Sequence, residues 1–281
     1  MTPTAPAQRR PARFRPALPS TLTRTSGLGL GISMLWFSLL VLIPLCAVVI
    51  TASEGGWANF WRAITNAQTR SAIVLTLEAA VAVTAVNVVV GTVIAWVLVR
   101  DRFPGKGVLE VVIDIPFALP TIVAGLVLLS LYGKDDSPLG INVANSGASV
   151  YLAFLFVTLP FVVRMVQPVL EELDLEVEEA AASLGASRFT TFRRVILPSL
   201  APAITAGAAL SFARAVGEYG SLVLLSGNLP FTSEVASVRI LSAIENDNPE
   251  AAASIATLLL LVSLATIVVL DLLQRRISDR G

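Results

Sequence analysis

The sequence predicts an all-α membrane protein with six transmembrane helices and both termini cytoplasmic. Three observations carry that expectation. Of its 281 residues, 55% are hydrophobic and only 14% are charged, against roughly 25% charged in soluble domains. Six apolar runs approach or exceed the roughly 20 residues needed to cross a hydrocarbon layer. Lys and Arg, finally, are segregated between alternate connections. Mean hydropathy is +0.77, and no polar stretch remains that is long enough to build a large soluble enzyme domain.

Residues 1–28 carry Arg9, Arg10, Arg13, Arg15 and Arg24, five prolines and no acid. By composition they form a disordered basic cytoplasmic tail. The apolar run that follows, 29–51, is too long for a signal-peptide core and has no small-residue cleavage site after it, so it reads as an uncleaved first span. The other runs are 72–99, 108–132, 149–169, 199–226 and 253–273, which makes residues 29–281 one transmembrane domain. Fourteen basic residues fall on the side of the tail and four (Arg62, Arg70, Lys134 and Arg239) on the other, with Arg164 and Arg214 inside spans. That asymmetry puts both ends in the cytoplasm, as an even number of spans requires. The formal charge of zero therefore hides a segregated chain, basic within and slightly acidic outside. Such an outer face would not steer a free anion inward.

Pro44, Pro116, Pro120, Pro160, Pro168 and Pro202 interrupt the runs. Broken helices at membrane depth need neighbours or a water-filled cavity to satisfy the freed backbone groups, which favours a packed bundle around a pathway. Histidine is absent and Cys46 is the single cysteine. His-based catalysis, His or Cys-cluster metal sites and disulfides within the chain are thereby excluded. Neither Gly105-Lys106-Gly107 nor Gly133-Lys134-Asp135 has the Ser or Thr of a phosphate-binding Walker A loop. No catalytic residue, metal or cofactor is expected, and nothing suggests nucleic-acid binding.

The connection 170–198 differs from the rest. Glu171, Glu172, Asp174, Glu176, Glu178 and Glu179 crowd its start, and Val177, Ala180, Ala181 and Leu184 recur at i, i+3, i+4 and i+7 on one helical face. Gly185 permits a left-handed turn. A second stripe, Phe189, Phe192 and Ile196, precedes Pro198. Small residues let another protein approach closely, whereas six acids in nine residues disfavour a helix lying on anionic lipid.

Glu179-Ala180-Ala181, three residues, Gly185, nine residues, then Val195-Ile196-Leu197-Pro198 resembles the EAA loop of bacterial ABC-importer permeases, with Val195 where that pattern usually has Ile. The resemblance implies the type I importer bundle and a coupling helix seated in a cleft of a partner ATPase. Glu179, Ala180, Ala181, Leu184 and Gly185 would make the contact, and ATP hydrolysis would belong to the partner.

Three further stretches, Ile115–Thr121, Phe156–Arg164 and Phe212–Ser221, resemble the sulfate/thiosulfate permeases of T type. The core Arg214-x-x-Gly217-Glu218-Tyr219-Gly220 also occurs in molybdate and tungstate permeases. This likeness implies oxyanion import by alternating access across a bacterial inner membrane. It further implies two ATPase copies, a second related permease and an extracytoplasmic binding protein.

Arg214 and Glu218 stand one helical turn apart and neutralise each other. Two readings remain open for Arg214, Glu218, Tyr219 and Ser221: a substrate pathway or gate, or a purely structural pair. Glu78, Asp114 or Glu218 would instead serve ion coupling in a secondary transporter, but such a carrier has no need of an ATPase-docking helix. Interhelical hydrogen bonding is the simpler role for Glu78 and Asp114. Arg164 is placed to reach an interface, and Trp57 and Trp61 to form an aromatic belt.

Overall fold

The computed structural model describes residues 24–278 except 134–136 and 139; the greater part of the basic tail, Lys134 and Arg280 lie outside them. Every regular element among the described residues is helical. Contacts divide the chain into two compact units, 1–47 and 48–281.

The first unit holds α1 (Arg24–Phe37), a π turn at Ser38–Leu42 and the first residues of α2 (Ile43–Glu54), the rest of which falls in the second. The wide turn has a cause two residues on. Pro44 has no N–H for the carbonyl four residues back, and its ring crowds that carbonyl. The Ile43 N–H reaches five residues back, to the Ser38 oxygen, instead.

In the second unit, a short helix α3 (Gly56–Thr65) leads into α4 (Ala67–Arg100). The Asn66 side chain caps α4, accepting from the amides of Gln68 at 3.1 Å and Thr69 at 3.4 Å. Helix α4 runs 34 residues without a proline. Its buried stripe is made of small residues, so neighbours come close. A Cβ on Gly91 would stand 2.9 Å from the Val162 Cβ.

The third apolar run is bent rather than straight. Helices α5 (Lys106–Ala118) and α6 (Thr121–Tyr132) meet at 117°, because Pro120 forces Leu119 out of helical conformation (φ −84°, ψ 135°). Helix α7 (Gly147–Glu172) carries Pro160 and Pro168 yet buries the largest share of its surface, packed on α4. The acidic connection folds as α8 (Leu175–Ser183) and α9 (Arg188–Thr191). A second π turn, Phe192–Ile196, opens α10 (Leu197–Val216), again just ahead of a proline, Pro198.

The fifth run breaks after Val216. A separate helix α11 (Gly220–Leu225) follows, then α12 (Ala236–Glu245) and α13 (Pro249–Ser278). Among the described residues, five helical stretches are long and apolar enough to cross a membrane, and six if the bent pair is one span.

Two apolar cores lie along α4. One joins its first half, through Ala79, Ala80 and Val83, to Phe154 and Phe212. The other joins its last turns, through Ala95 and Leu98, to Val163, Leu170 and Leu200. Between them a buried Asn87 donates to the Thr158 hydroxyl at 2.8 Å, so these two polar side chains satisfy one another, while the buried Thr84 and Thr92 hydroxyls on either side find no partner.

Candidate functional site

Helix α8 begins where Asp174 accepts from the Glu176 amide at 3.2 Å, a carboxylate at the positive end of the helix. It ends in a closed turn. The Gly185 amide bonds the Ala182 oxygen at 2.9 Å, and the Ala186 amide bonds the Ala181 oxygen at 3.1 Å. Gly185 has φ +83°, the left-handed conformation that this pair of bonds requires. A Cβ there would meet nothing within 4 Å, so glycine is needed for conformation alone.

The apolar stripe read from the sequence faces outward. Val177, Ala180 and Leu184 are exposed, Leu184 by 89%, while Ala181 is half-buried. Glu179 is exposed beside them. The second stripe splits. Phe189 is exposed by 70%, whereas Ile196 is buried and Phe192 turns its ring edge to Trp96 of α4, centroids 5.7 Å apart. The segment therefore exposes apolar side chains on both limbs, Val177 and Leu184 among the carboxylates of α8 and Phe189 beside Arg188. One carboxylate is not exposed with them: Glu178 is half-buried and pairs with Arg100 at the end of α4.

The break between α10 and α11 is built the opposite way. Glu218 is 1% exposed. Its Oε1 accepts from the Ser221 amide at 2.9 Å and from the Ser221 hydroxyl at 2.8 Å. Its Oε2 lies 2.6 Å from Arg214 Nη1 with no N–H aimed squarely at it, and its backbone oxygen accepts from Ser237 at 2.6 Å. Arg214 keeps 31% of its side chain exposed.

Arg214, Glu218 and Ser221 thus come together, with the Ser221 hydroxyl fully engaged. Tyr219 stands apart, 37% exposed. The glycines here are spacers. A Cβ on Gly220 would meet the Thr121 Oγ1 at 2.1 Å, and one on Gly125 the Ser221 oxygen at 2.5 Å, so α11 lies directly against the start of α6. The Ser211 hydroxyl, one turn before Arg214, is buried without a partner.

A second ion pair inside the spans joins two helices. Arg164 on α7 makes a two-pronged contact with Asp114 on α5, its Nε donating to Oδ1 at 2.8 Å, and also donates to Gln167 at 3.0 Å. Glu78 on α4 takes the Tyr151 hydroxyl as its partner. Trp57 and Trp61 lie stacked and exposed on α3.

Near the start of α4 a cavity of about 360 Å³ is lined by Arg62, Asn66, Thr69, Arg239 and Glu250, among others. Neither this cavity nor the Arg100–Glu178 pair was expected from the sequence. The close approach at Gly125 was not expected either; a glycine inside an apolar helical run is the local sign that could have pointed to it.

Residues 87–280 match the family described as binding-protein-dependent transport system inner membrane component. The sulfate transport system permease protein CysT of Salmonella typhimurium is 43% identical over 259 residues, covering 90% of this chain and 94% of the relative. Its counterpart in Synechocystis sp. is 44% identical over 250 residues, 87% of each chain. A solved bacterial ABC transporter involved in the import of the acidic polysaccharide alginate shares the fold, with a TM-score of 0.73 over 89% of this chain and 94% of that one at 14% identity. The chain belongs to the inner membrane components of binding-protein-dependent transport systems, alongside the sulfate transport system permeases.

Proposed function

We propose that this chain is a transmembrane permease subunit of an ATP-driven importer of sulfate and thiosulfate. The observation that carries the reading is the exposed helix–Gly185–helix segment. An exposed apolar face with carboxylates on its first limb and arginines on its second suits seating in a groove of a water-soluble partner. Membership in an ABC permease family implies an ATPase and a binding protein in general. The finer reading has two copies of the ATPase, one related second permease and an extracytoplasmic oxyanion-binding protein. Glu179, Ala180, Ala181, Leu184 and Gly185 form the ATPase contact, and ATP hydrolysis belongs to the partner.

The excess of Arg and Lys on the side of residues 170–198 supports a cytoplasmic position for that segment and for both termini. Residues 1–28 are then a cytoplasmic tail and 29–281 the transmembrane domain.

In the pathway, Arg214 supplies positive charge to a dianion and Glu218 holds it in place. The contrast of 31% and 1% exposure supports that division, because a carboxylate withdrawn from the path does not repel the cargo. Ser221 serves Glu218, and Tyr219 flanks the gate.

Radiolabelled sulfate uptake in a strain lacking its own importer, with the partner subunits co-expressed, tests the reading. Uptake competed by thiosulfate and not by molybdate is expected; selective competition by molybdate would reassign the cargo. Substitution of Glu179 and Gly185 should lower both uptake and ATPase co-purification. Unchanged values of both would sink the coupling assignment.

A further inference from the structure

We propose that Arg100 and Glu178 form a strut that delivers the movement of the coupling segment to α4, making Arg100 a positioning residue for transport. This deepens the importer reading and rests on it. Helix α8 has few ties to the bundle. Its only ion pair to another part of the chain, among the described residues, is Glu178 to Arg100. Adjacent acids on α8 are turned to different sides. Glu179 is exposed, while the Glu178 side chain is 25% exposed and lies against an arginine that is 14% exposed.

The arginine is itself braced. Its guanidinium lies 5.9 Å from the centre of the Trp96 ring, within range of a cation–π attraction. Trp96 in turn meets Phe192 edge-on at 5.7 Å. Residues from both limbs of the segment, Glu178 before Gly185 and Phe192 after it, therefore converge on the last two turns of α4.

What stands behind this contact suits it to carrying force. Helix α4 is unbroken from Ala67 to Arg100, about 50 Å at the α-helical rise. The other long spans tied to the segment are α7, with Pro160 and Pro168, and α10, which opens on a π turn. At its far end α4 is bound to the region around α12. Gln68 donates to Glu234 at 2.8 Å, and the Thr76 hydroxyl accepts from the Ala236 amide at 2.9 Å. A push at Arg100 is thus transmitted along one rigid element to the opposite end of the bundle.

The test uses the complete complex in lipid vesicles. Arg100→Gln and Glu178→Gln should each cut sulfate uptake per ATP hydrolysed by about fivefold or more, and the double variant should be no worse than either single one, as expected for two halves of one contact. Unchanged ratios, or effects that add in the double variant, would overturn the strut. Glu178 stands on an exposed segment, so its variant alone decides the matter if Arg100→Gln fails to assemble.

A second readout needs no transported substrate. A fluorescent label at Ala67 should report an ATP-driven displacement in the wild-type complex that Glu178→Gln abolishes; the same displacement in both refutes the proposal. Loss of sulfate uptake in the wild-type complex would count against the importer reading, while the Ala67 signal still judges the strut.

Discussion

The coupling segment and the break after α10 both combine glycine with charge, yet they are built in opposite senses. Around Gly185, conformation is strict and space is free: φ is +83° and a Cβ would touch nothing within 4 Å. Around Gly220, space is the constraint, and a Cβ would collide with Thr121. Glu179 faces outward, whereas Glu218 is withdrawn into three hydrogen bonds and an ion pair. The first region leaves its apolar side chains, Leu184 and Phe189, exposed, and in the proposed function another molecule covers them. The second is finished by the chain itself, and its charges serve the fold before they serve a ligand.

Substitutions separate the two regions on that basis. Glu218→Ala should be the most damaging, since it strands Arg214 and two Ser221 donors. Breaking such a buried pair costs about 3–5 kcal/mol, seen as loss of folded protein from detergent extracts. Gly125→Val should come next, at about 1–3 kcal/mol from overpacking against the Ser221 backbone, read as a lowered Tm. Gly185→Ala should cost about 1 kcal/mol of left-handed strain and reduce uptake more than Tm. Leu184→Ser should leave stability within about 0.5 kcal/mol while weakening ATPase co-purification. A Tm loss for Leu184→Ser as large as that for Gly125→Val would erase the distinction between the regions.

Legibility in the sequence follows the same division. Local features were readable: four of the spans from their apolar runs, the turn at Gly185 and the interruption at Pro120 all depend on neighbours in the chain. The break of the fifth run after Val216, by contrast, did not show. Pairing between helices was not. Arg164 read as a residue reaching for an interface and Asp114 as an acid for interhelical hydrogen bonding, but nothing local named them as each other's partner, 50 positions apart. Nothing in the local pattern around Glu178 marks it as inward-facing and Glu179 as outward-facing, because that depends on where α4 ends. The helices α3 and α12 fell below the length at which periodicity is informative, so the cavity they help to line went unseen. The stripe Phe189, Phe192 and Ile196 had the right spacing but serves two surfaces, since Phe192 and Ile196 belong to the π turn that Pro198 imposes.

The length of α4 has a further consequence. About 50 Å of helix is more than a hydrocarbon layer of about 30 Å can hold at ordinary tilts. One end or both must therefore project beyond the hydrocarbon, and Arg100, covered by Glu178 and Trp96, closes one of them. In the proposed function, the Arg100–Glu178 contact between the segment and α4 is then an electrolyte-sensitive joint. Raising ionic strength should slacken the Arg100–Glu178 contact, which retains partial exposure, while Glu218 stays insulated. Transport efficiency falling with salt at unchanged Tm would be the signature of that joint.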